Sequence, residues 1–260
     1  MSLSQRRVQL LGRLRHRKTR ERESLVLVEG IRSVGEALRA GAEPVFAVVS
    51  PRLEGMAWGA GLLSALRSQV ADVERVGDRE LDGLADTERP QGVLLVCRQP
   101  EPTSASLDAG GRYLVLDAVQ DPGNVGTLLR AATAFDVRGV VALDGTADPW
   151  SPKAVRASAG TAFRLAVRFA KAEEITDLLE AAGIPLLVAD ASGADVAGVG
   201  ALRSWALAVG NEGSGTRESL RASASRMVRI PMPGPAESLN AGVAGAILMY
   251  ALTREVAGVP

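Results

Sequence analysis

The chain has few of the side chains that enzymes use most often for acid–base and metal chemistry. Its 260 residues include one histidine, His16, one cysteine, Cys97, and three lysines. A zinc site of the His-Glu-x-x-His type is therefore impossible, and a Ser-His-Asp triad would have to use His16, which lies in a basic N-terminal segment. None of the lysines follows a glycine, so there is no Walker A phosphate loop, and there is no Gly-x-Gly-x-x-Gly fingerprint either. A histidine-based zinc site is therefore excluded, and nicotinamide redox chemistry loses its usual sequence support.

Cysteine and long apolar runs are scarce as well. With a single cysteine the chain forms no internal disulfide, which is typical of a reducing compartment. The start of the chain is charged and lacks the apolar core of a signal peptide, and the longest apolar run, residues 241–252, is too short to span a bilayer. Aromatic residues make up 3% of the chain, so the core must consist mainly of Ala, Val and Leu. These features predict a soluble, cytoplasmic protein with no membrane partner.

Charge is balanced over the whole chain but unevenly distributed along it. Lys and Arg total 30, as do Asp and Glu, yet residues 1–24 hold eight basic residues against two acidic ones. A basic arm on an otherwise acidic body is typical of a protein that binds a polyanion. The alternative is an ordinary solvated helix face, and charge alone does not separate the two interpretations.

Residues 99–112 divide the chain into two parts. This stretch is rich in Pro, Ser and Gly and has no periodicity, which indicates an interdomain linker. Before it, residues 1–98 alternate short helix and strand patterns and predict a small α/β domain. After it, residues 113–260 alternate more regularly, with continuously apolar strands at 113–119, 139–144, 164–169, 185–190, 204–210 and 226–231.

Helical patterns separate these strands, at 125–135, 152–159, 172–182, 216–224 and from 238 to about 256. Strands that are apolar throughout are typical of a sheet covered on both faces. The alternation predicts an α/β fold in which a parallel sheet carries helices on both faces.

Three stretches in the second part place small polar residues where a strand ends and a helix begins. They are residues 117–136, 207–215 and 229–252. In open α/β sheets, ligands bind beyond the carboxyl ends of the strands. Three such loops within one domain therefore predict a single site to which all three contribute.

The first stretch contains a turn followed by an arginine in an apolar helix. Asn124 follows an Asp-Pro-Gly turn. If its role is purely structural, we expect its side chain to cap the helix that follows. Arg130 lies among Leu and Ala residues, where a buried charge would need a carboxylate or a substrate phosphate as its partner. The alternative is a surface arginine on the outer face of the helix.

The second stretch is rich in glycine. Gly210, Gly213 and Gly215 allow a ligand to approach the backbone closely. Glu212 lies among them. If its role is purely structural, it is an acidic residue near a helix N-terminus that the helix dipole stabilises.

The third stretch begins with a proline-rich loop and continues as an apolar helix. Ser238 and Asn240 lie where the helix is expected to begin, and Ser238 as an N-cap is the structural interpretation. Small residues at 241–246 allow close packing, either within the core or across a dimer.

In this order and spacing, the three motifs resemble those of the SpoU (TrmH-like) family of RNA ribose methyltransferases in the SPOUT superfamily. The resemblance covers residues 113–254 and rests on Asn124 with Arg130, on the Gly-Asn-Glu-Gly-Ser-Gly run 210–215 and on Glu-Ser-Leu-Asn at 237–240.

Other parts of the chain extend this resemblance. Residues 148–160 are similar to a further family segment, and residues 17–38 and 88–96 are similar to the family's substrate-binding N-terminal domain. Asp136 and Thr216 stand where Gly and Leu are common in the family, but neither position is assigned to the chemistry.

The resemblance implies a fold, a cofactor and a substrate. The family transfers a methyl group from S-adenosylmethionine to a ribose 2′-hydroxyl of rRNA or tRNA, without a metal, and acts as a homodimer. The implied fold is a small α/β RNA-binding domain (1–98) before a catalytic domain (113–260) whose C-terminal segment forms a trefoil knot. The residues that match or lie beside the family's cofactor-binding positions are Val209, Gly210, Asn211, Gly213, Ile230, Met232, Ser238 and Leu239.

The resemblance also implies which residues carry the reaction, namely Arg130, Asn124, Glu212, Ser238 and Asn240. By analogy, the arginine of one subunit approaches the site of the other. A free guanidinium has a pKa above about 12, so its role as a base requires a strongly lowered pKa. Whether it is the base or an electrostatic clamp stays open.

Two other hypotheses about the function remain at this point. One is a catalytically inactive relative that only binds RNA, and the other is a base methyltransferase on the same fold. The presence of the five candidate catalytic residues argues against the first, and the first motif argues against the second.

Overall fold

The computed structural model describes residues 3–102, 107–199 and 202–254. In chain order the helices are α1 (Gln5–Arg13), α2 (Arg17–Glu23), α3 (Ile31–Arg39), α4 (Gly59–Gln69), α5 (Asp78–Leu84), α6 (Pro122–Ala134), α7 (Pro152–Ala157), α8 (Ala172–Ala181), α9 (Glu218–Ala222) and α10 (Ala241–Arg254). The strands are β1 (Leu25–Glu29), β2 (Pro44–Val49), β3 (Val73–Arg75), β4 (Val93–Arg98), β5 (Arg112–Leu116), β6 (Gly139–Leu143), β7 (Ala166–Ala170), β8 (Leu186–Asp195), β9 (Trp205–Val209) and β10 (Arg226–Arg229).

The chain forms two compact units. The first consists of Met1–Pro100 with Asp148–Arg164, and the second of Glu101–Ala147 with Leu165–Pro260. The first unit contains a four-stranded mixed sheet in the order β1-β4-β2-β3. Strand β4 is antiparallel to both β1 and β2, and β3 is parallel to β2. The first unit therefore combines helices with a mixed sheet.

The basic N-terminal segment is part of the core of the first unit. Leu11 and Leu14 are 0% exposed and pack in its main apolar cluster. Arg20, 2% exposed, donates hydrogen bonds of 2.8 Å to the carbonyl oxygens of Leu14 and Arg15 and forms an ion pair with Asp148. Burial of these leucines therefore folds the basic segment into the first unit.

Residues 148–164 belong to the first unit, although the sequence analysis places them in the second domain. Arg164 pairs with Glu36 of α3 at 2.5 Å. Gly160 has φ +85°, and a Cβ there would lie 2.4 Å from the carbonyl oxygen of Ser33. The segment connects β6 and β7 and contains helix α7. In sequence it therefore continues the strand–helix alternation of the second unit, and no pattern indicates that it packs in the first.

The second unit contains six strands, all parallel, in the order β10-β8-β9-β5-β6-β7. Ala208 of β9 lies in an apolar cluster with Ile175 of α8 and Leu220 of α9. The next residue, Val209, points to the other face, where the backbone of Gly245 in α10 approaches it. The predicted parallel sheet with helices is confirmed.

Some element boundaries differ from the expectation. Helix α5 was not predicted, because its seven residues carry four charges and show little apolar periodicity. The final helix begins at Ala241 rather than at 238, and its expected end at about 256 lies outside the described residues. The predicted linker includes residues 103–106, which also lie outside them. Throughout the described ranges, no helix combines the length and apolarity needed to cross a membrane.

The buried ion pair between Arg20 and Asp148 yields a first prediction. Their side chains are 3% and 11% exposed, so removing one partner leaves a buried charge unpaired. We expect Asp148→Ala to lower the free energy of unfolding by about 3 kcal/mol, as measured by urea denaturation. The control is Glu21→Ala, which breaks the half-exposed pair with Arg17 and should cost about 0.5 kcal/mol. Equal losses in the two variants would contradict this account of the N-terminal segment.

Candidate active site

A cavity of about 550 Å³ lies in the second unit, at the carboxyl ends of β9 and β10 and beside the middle of β8. This is where ligands bind in open α/β sheets, and the volume is typical of a small-molecule site. The sequence-predicted residues that line it are Val209, Gly210, Asn211, Glu212, Ile230, Met232, Ser238, Leu239 and Asn240. Gly213, also predicted to bind the cofactor, is not among the lining residues.

The loop after β9 has a tightly constrained shape. A Cβ at Gly210 would lie 2.3 Å from the backbone of Gly215 and Thr216, so only glycine fits there. The backbones of Asn211 and Gly215 exchange two hydrogen bonds of 2.9–3.0 Å. The Asn211 side chain accepts from the N–H groups of Gly213 and Ser214 and donates to the carbonyl oxygen of Ala118. Asn211 therefore builds the loop and joins it to the loop after β5.

A chain of side-chain hydrogen bonds connects the three motifs. The Asn240 amide donates to Oδ1 of Asn124 at 2.8 Å, and the Asn124 amide donates to Oε1 of Glu212 at 2.8 Å. Asn124 is 8% exposed. The helix cap is instead Asp121, whose side chain accepts from the N–H of Gly123. The cap interpretation of Asn124 is therefore wrong, and this residue links the other two motifs.

Glu212 is held in its ionised form by this network. Partial burial of its carboxyl raises the pKa, but hydrogen bonds from the Asn124 amide and from the N–H groups of Gln120 and Asp121 outweigh that effect. The net result is a pKa below the ordinary value of 4.5. Because its oxygens already accept these bonds, Glu212 positions Asn124 and the loop after β5.

An ion pair that the sequence analysis missed fastens the other end of the glycine-rich loop. Asp117, at the end of β5, is 1% exposed. It accepts hydrogen bonds from the backbone N–H of Arg217 at 2.7 Å and from its Nε at 2.6 Å. The Arg217 guanidinium also donates to the carbonyl oxygen of Asp144. An aspartate at a strand end is a weak signal in sequence, and no pattern marked its partner 100 residues later.

A segment within β8 forms a further part of the wall that was not predicted. Ala189, Asp190 and Ala191 line the cavity. Burial raises the pKa of Asp190, but hydrogen bonds from Ser192 and the pairing with Arg221 outweigh this effect. The net pKa is lowered, so the carboxyl stays ionised. The end of the apolar run 185–190 was a usable signal for this part of the wall. The cavity is also lined by Gly215, Val228, Arg229, Ala236, Glu237, Ala241, Ala244 and Leu248.

The start of α10 is capped by Asn240, whose Oδ1 accepts from the N–H of Val243 at 3.2 Å. Ser238 lies in the preceding loop, two residues before Asn240, so its interpretation as the N-cap is wrong. Both residues are exposed and line the cavity. The helix then packs closely on α6, because a Cβ at Gly245 would lie 2.2 Å from Cδ2 of Leu128.

Arg130 lies on the exposed face of α6 and does not line the cavity of its own chain. It shares this face with the exposed residues Thr127 and Ala134. Within the described part of the chain, its guanidinium makes no hydrogen bond and no ion pair. The expectation of a buried arginine is wrong, and the side chain is free to engage a group from outside this chain.

The donor set of the cavity suits an organic ligand with a cationic centre. Its wall combines small residues, which expose backbone, with apolar side chains. Its charged side chains are three carboxylates, those of Asp190, Glu212 and Glu237, and one guanidinium, that of Arg229. In residues 3–102, 107–199 and 202–254, no three His, Cys, Asp or Glu side chains are placed to hold a metal ion. The shape and composition of the cavity therefore fit S-adenosylmethionine, which carries a sulfonium and an amino group.

The fold and the cavity define an α/β protein with a ligand site at the strand ends of a parallel sheet. A model described as the SpoU rRNA Methylase family matches residues 111–250, and one described as the MRM3-like substrate binding domain matches residues 5–95. The chain belongs to the SpoU rRNA methylase family, as its motifs indicated.

Curated relatives carry names that agree with this membership. The 23S rRNA (guanosine(2553)-2′-O)-methyltransferase RlmP of Bacillus subtilis is 39% identical over 65% of this chain and 67% of its own length. The 23S rRNA (uridine(2479)-2′-O)-methyltransferase of Streptomyces viridochromogenes is 30% identical over 95% of this chain and 87% of its own length.

Solved structures agree over nearly the whole chain. An AdoMet-bound rRNA methyltransferase from Sinorhizobium meliloti has a TM-score of 0.83 at 28% identity and covers 98% of this chain and 96% of its own. The SpoU methyltransferase AviRb from Streptomyces viridochromogenes, in complex with AdoMet, has a TM-score of 0.84 at 26% identity and covers 99% and 100%.

The ionised state of Glu212 yields a prediction of pH dependence. A carboxyl whose pKa is lowered by folding contributes stability above its ordinary pKa, and this contribution is lost as the pH falls through the lowered value. We expect Glu212→Gln to lower the free energy of unfolding by about 1 kcal/mol at pH 7. The difference from wild type should disappear as the pH falls below 4.5. Urea denaturation between neutral and acidic pH measures it.

The matched control is Glu237→Gln, which removes the same charge from the same cavity. No described residue forms a hydrogen bond with the Glu237 side chain, so this variant should match wild type at every pH. A pH-independent difference for Glu212→Gln would contradict the role of the ionised carboxylate.

Proposed function

We propose that this chain methylates RNA through a composite site formed by the cavity of one subunit and Arg130 of another. The chain is an S-adenosylmethionine-dependent methyltransferase that modifies a ribose 2′-hydroxyl of RNA. The observation that carries the composite site is the hydrogen-bond chain Asn240–Asn124–Glu212, which ties the helix that bears Arg130 to two loops of the cavity wall. Because the named relatives act on rRNA of bacteria, we place the reaction on rRNA or tRNA in the cytoplasm.

The cavity residues have the role of binding and orienting S-adenosylmethionine, which supplies an activated methyl group when bound. Gly210 and the backbone around it allow close approach, and Val209, Ile230 and Leu239 provide apolar contact. Asn211 and Gly213 shape the loop from behind through the hydrogen bond between them. Met232 and Ser238 complete the proposed cofactor wall.

Methyl transfer to a hydroxyl needs in-line placement of the oxygen and loss of its proton. Arg130 is the cationic group proposed to meet the 2′-hydroxyl, and it acts there either as base or as electrostatic clamp. Asn124 and Asn240 orient the helices that present it, and Glu212 is a positioning residue because its oxygens are occupied by N–H donors. Ser238 is exposed at the cavity and is positioned to contact either ligand.

A second copy of the chain is the partner that the exposed face of α10 fits. Val243, Ile247 and Tyr250 are 37–51% exposed and recur at helical spacing along one side of the helix, and Leu239, 37% exposed, lies just before its start. Contiguous exposed apolar residues mark protein interfaces. The stripe begins at the cavity, through Leu239, and α10 packs against α6, which carries Arg130. A homodimer across α10 would therefore bring an arginine from one chain towards the other chain's site.

The trefoil knot is part of the same proposal. Strand β9 lies between β8 and β5, and the loop after it is fastened to the loop after β5 by Asn211 and by the Asp117–Arg217 ion pair. The chain then returns to α6 through α10. These features support a chain path in which the C-terminal segment passes beneath an earlier loop.

The first unit has the proposed role of holding the RNA. Its residues 5–95 match the substrate-binding model, and the cations of the N-terminal segment that are exposed and make no ion pair in the described structure are Arg6, Arg13 and Lys18. Domain limits of 1–98 and 113–260 joined by a linker remain the functional division that we propose, with residues 148–164 packed in the first unit.

Arg130→Ala should abolish methyl transfer while cofactor affinity stays within about twofold of wild type, because the side chain does not line its own cavity. The measurements are transfer of a radiolabelled methyl group to 23S rRNA, nucleoside mass spectrometry of the product and calorimetric titration of the cofactor. The control, Arg138→Ala, removes an exposed arginine that is paired with Asp108 and should keep both properties.

Gly210→Val, in contrast to Arg130→Ala, should lose cofactor binding itself. A side chain there collides with the backbone of Gly215 and Thr216 and forces the loop to move. Cofactor binding by Gly210→Val equal to wild type would refute the assignment of the cavity. A 2′-O-methylated nucleoside in the product of the wild type identifies the proposed reaction. A methylated base would favour the base methyltransferase, and the absence of any methylated product would favour the inactive relative.

A further inference from the structure

Trp58, in the first unit, is exposed to an unusual degree for its type. It is 68% exposed, whereas the other two tryptophans of the chain, Trp150 and Trp205, are 1% and 0% exposed. Single exposed apolar residues are common on protein surfaces, so exposure alone assigns no role. Two further features of Trp58 do point to one.

The backbone at Trp58 is held in a conformation that bulky residues rarely adopt. Its φ of +63° and ψ of 2° lie in the left-handed region, immediately before α4. The next residue, Gly59, is locked in place, since a Cβ there would lie 1.7 Å from the carbonyl oxygen of Leu53. Glycine would satisfy the position of Trp58 with less strain. Strained backbone of this kind is held in place by the surrounding structure and is common at functional sites.

A cation lies over the exposed indole. The guanidinium carbon of Arg32, in the first turn of α3, is 5.2 Å from the ring centroid, within the range of a cation–π contact. Arg32 is itself exposed and forms no ion pair with any described residue. The pair therefore presents an aromatic surface and an uncompensated positive charge side by side.

We propose that Trp58 and Arg32 bind an unpaired nucleobase of the RNA substrate. The base stacks on the indole, and the guanidinium neutralises the phosphate next to it. Unpaired RNA bases are recognised by stacking on aromatic side chains and on arginine, and stacking contributes to binding of single strands of any sequence. The inference rests on the proposed function, since it names the feature of RNA that the first unit recognises.

The surroundings favour a base over a protein partner. The other exposed large apolar residues in the described part of the first unit are Val8 and Val45, at 38% and 39%, on α1 and β2. A stable protein interface buries many residues on each side, whereas a single base needs one aromatic ring and a nearby cation.

The test uses the full chain and two RNA probes, a single-stranded oligoadenylate and the same strand annealed to oligouridylate. Since the other tryptophans are buried, binding of the single strand should quench the exposed emission of Trp58. Trp58→Ala should weaken single-strand binding about 5- to 150-fold, and Trp58→Phe should restore most of it. The control Val45→Ala should bind as wild type does.

Trp58→Gly separates binding from folding. Glycine accepts the left-handed backbone, so this variant should melt at the same temperature as wild type or higher, and yet bind the single strand as weakly as Trp58→Ala. Arg32→Ala should weaken binding and make its dependence on salt shallower by about one counterion.

Three outcomes would overturn the inference. They are single-strand affinity unchanged in Trp58→Ala, an equal loss of affinity for single strand and duplex, and a changed oligomeric state with unchanged RNA affinity, which would assign Trp58 to a protein interface. None of these bears on the proposed reaction, which fails separately if wild type transfers no methyl group to rRNA or tRNA.

Discussion

The candidate site depends on one buried amide, that of Asn124. It accepts a hydrogen bond from Asn240 and donates one to Glu212, so a single side chain joins the loops that follow β5, β9 and β10. Each loop comes from a different part of the chain. The loops after β5 and β9 are also joined by Asn211 and by the Asp117–Arg217 pair, and Asn124 adds the loop after β10 to them through Asn240. Because the amide uses its acceptor and its donor at once, its orientation is fixed. The carboxylate of Glu212, the last acceptor in this series of hydrogen bonds, accepts them in its ionised form. The surrounding N–H groups keep it ionised by lowering its pKa.

The first unit shows how charge is divided between folding and binding. Arg20 is buried between backbone carbonyls and Asp148, and Arg7 is paired with Asp72 and Glu74, so both serve the fold. Arg6, Arg13 and Lys18 are exposed and make no ion pair with any described residue. RNA affinity then depends on where these cations lie on the folded surface, since phosphate contacts are electrostatic and largely independent of sequence.

Much of the site was predictable from sequence, because strand ends and glycine-rich turns leave local signals. Gly210 illustrates this, since its need for a bare backbone follows from the turn that surrounds it. Other features were not predictable, because they depend on distant contacts. The Asp117–Arg217 pair joins residues a hundred positions apart, and residues 148–164 read as part of the second unit but pack in the first. Arg130 was misjudged because an apolar neighbourhood in sequence does not tell which side of α6 faces solvent.

The central claim is that the cavity of one chain works with Arg130 of another, and mixing two inactive variants tests it most directly. Arg130→Ala keeps its cavity, and Gly210→Val keeps its arginine. In a mixed dimer, the cavity of the first meets the arginine of the second, so one complete site is rebuilt. The account predicts that methyl transfer to 23S rRNA returns when the two variants are unfolded together and refolded. If tagged subunits show that mixed dimers form and the mixture stays as inactive as each variant alone, the composite site is contradicted.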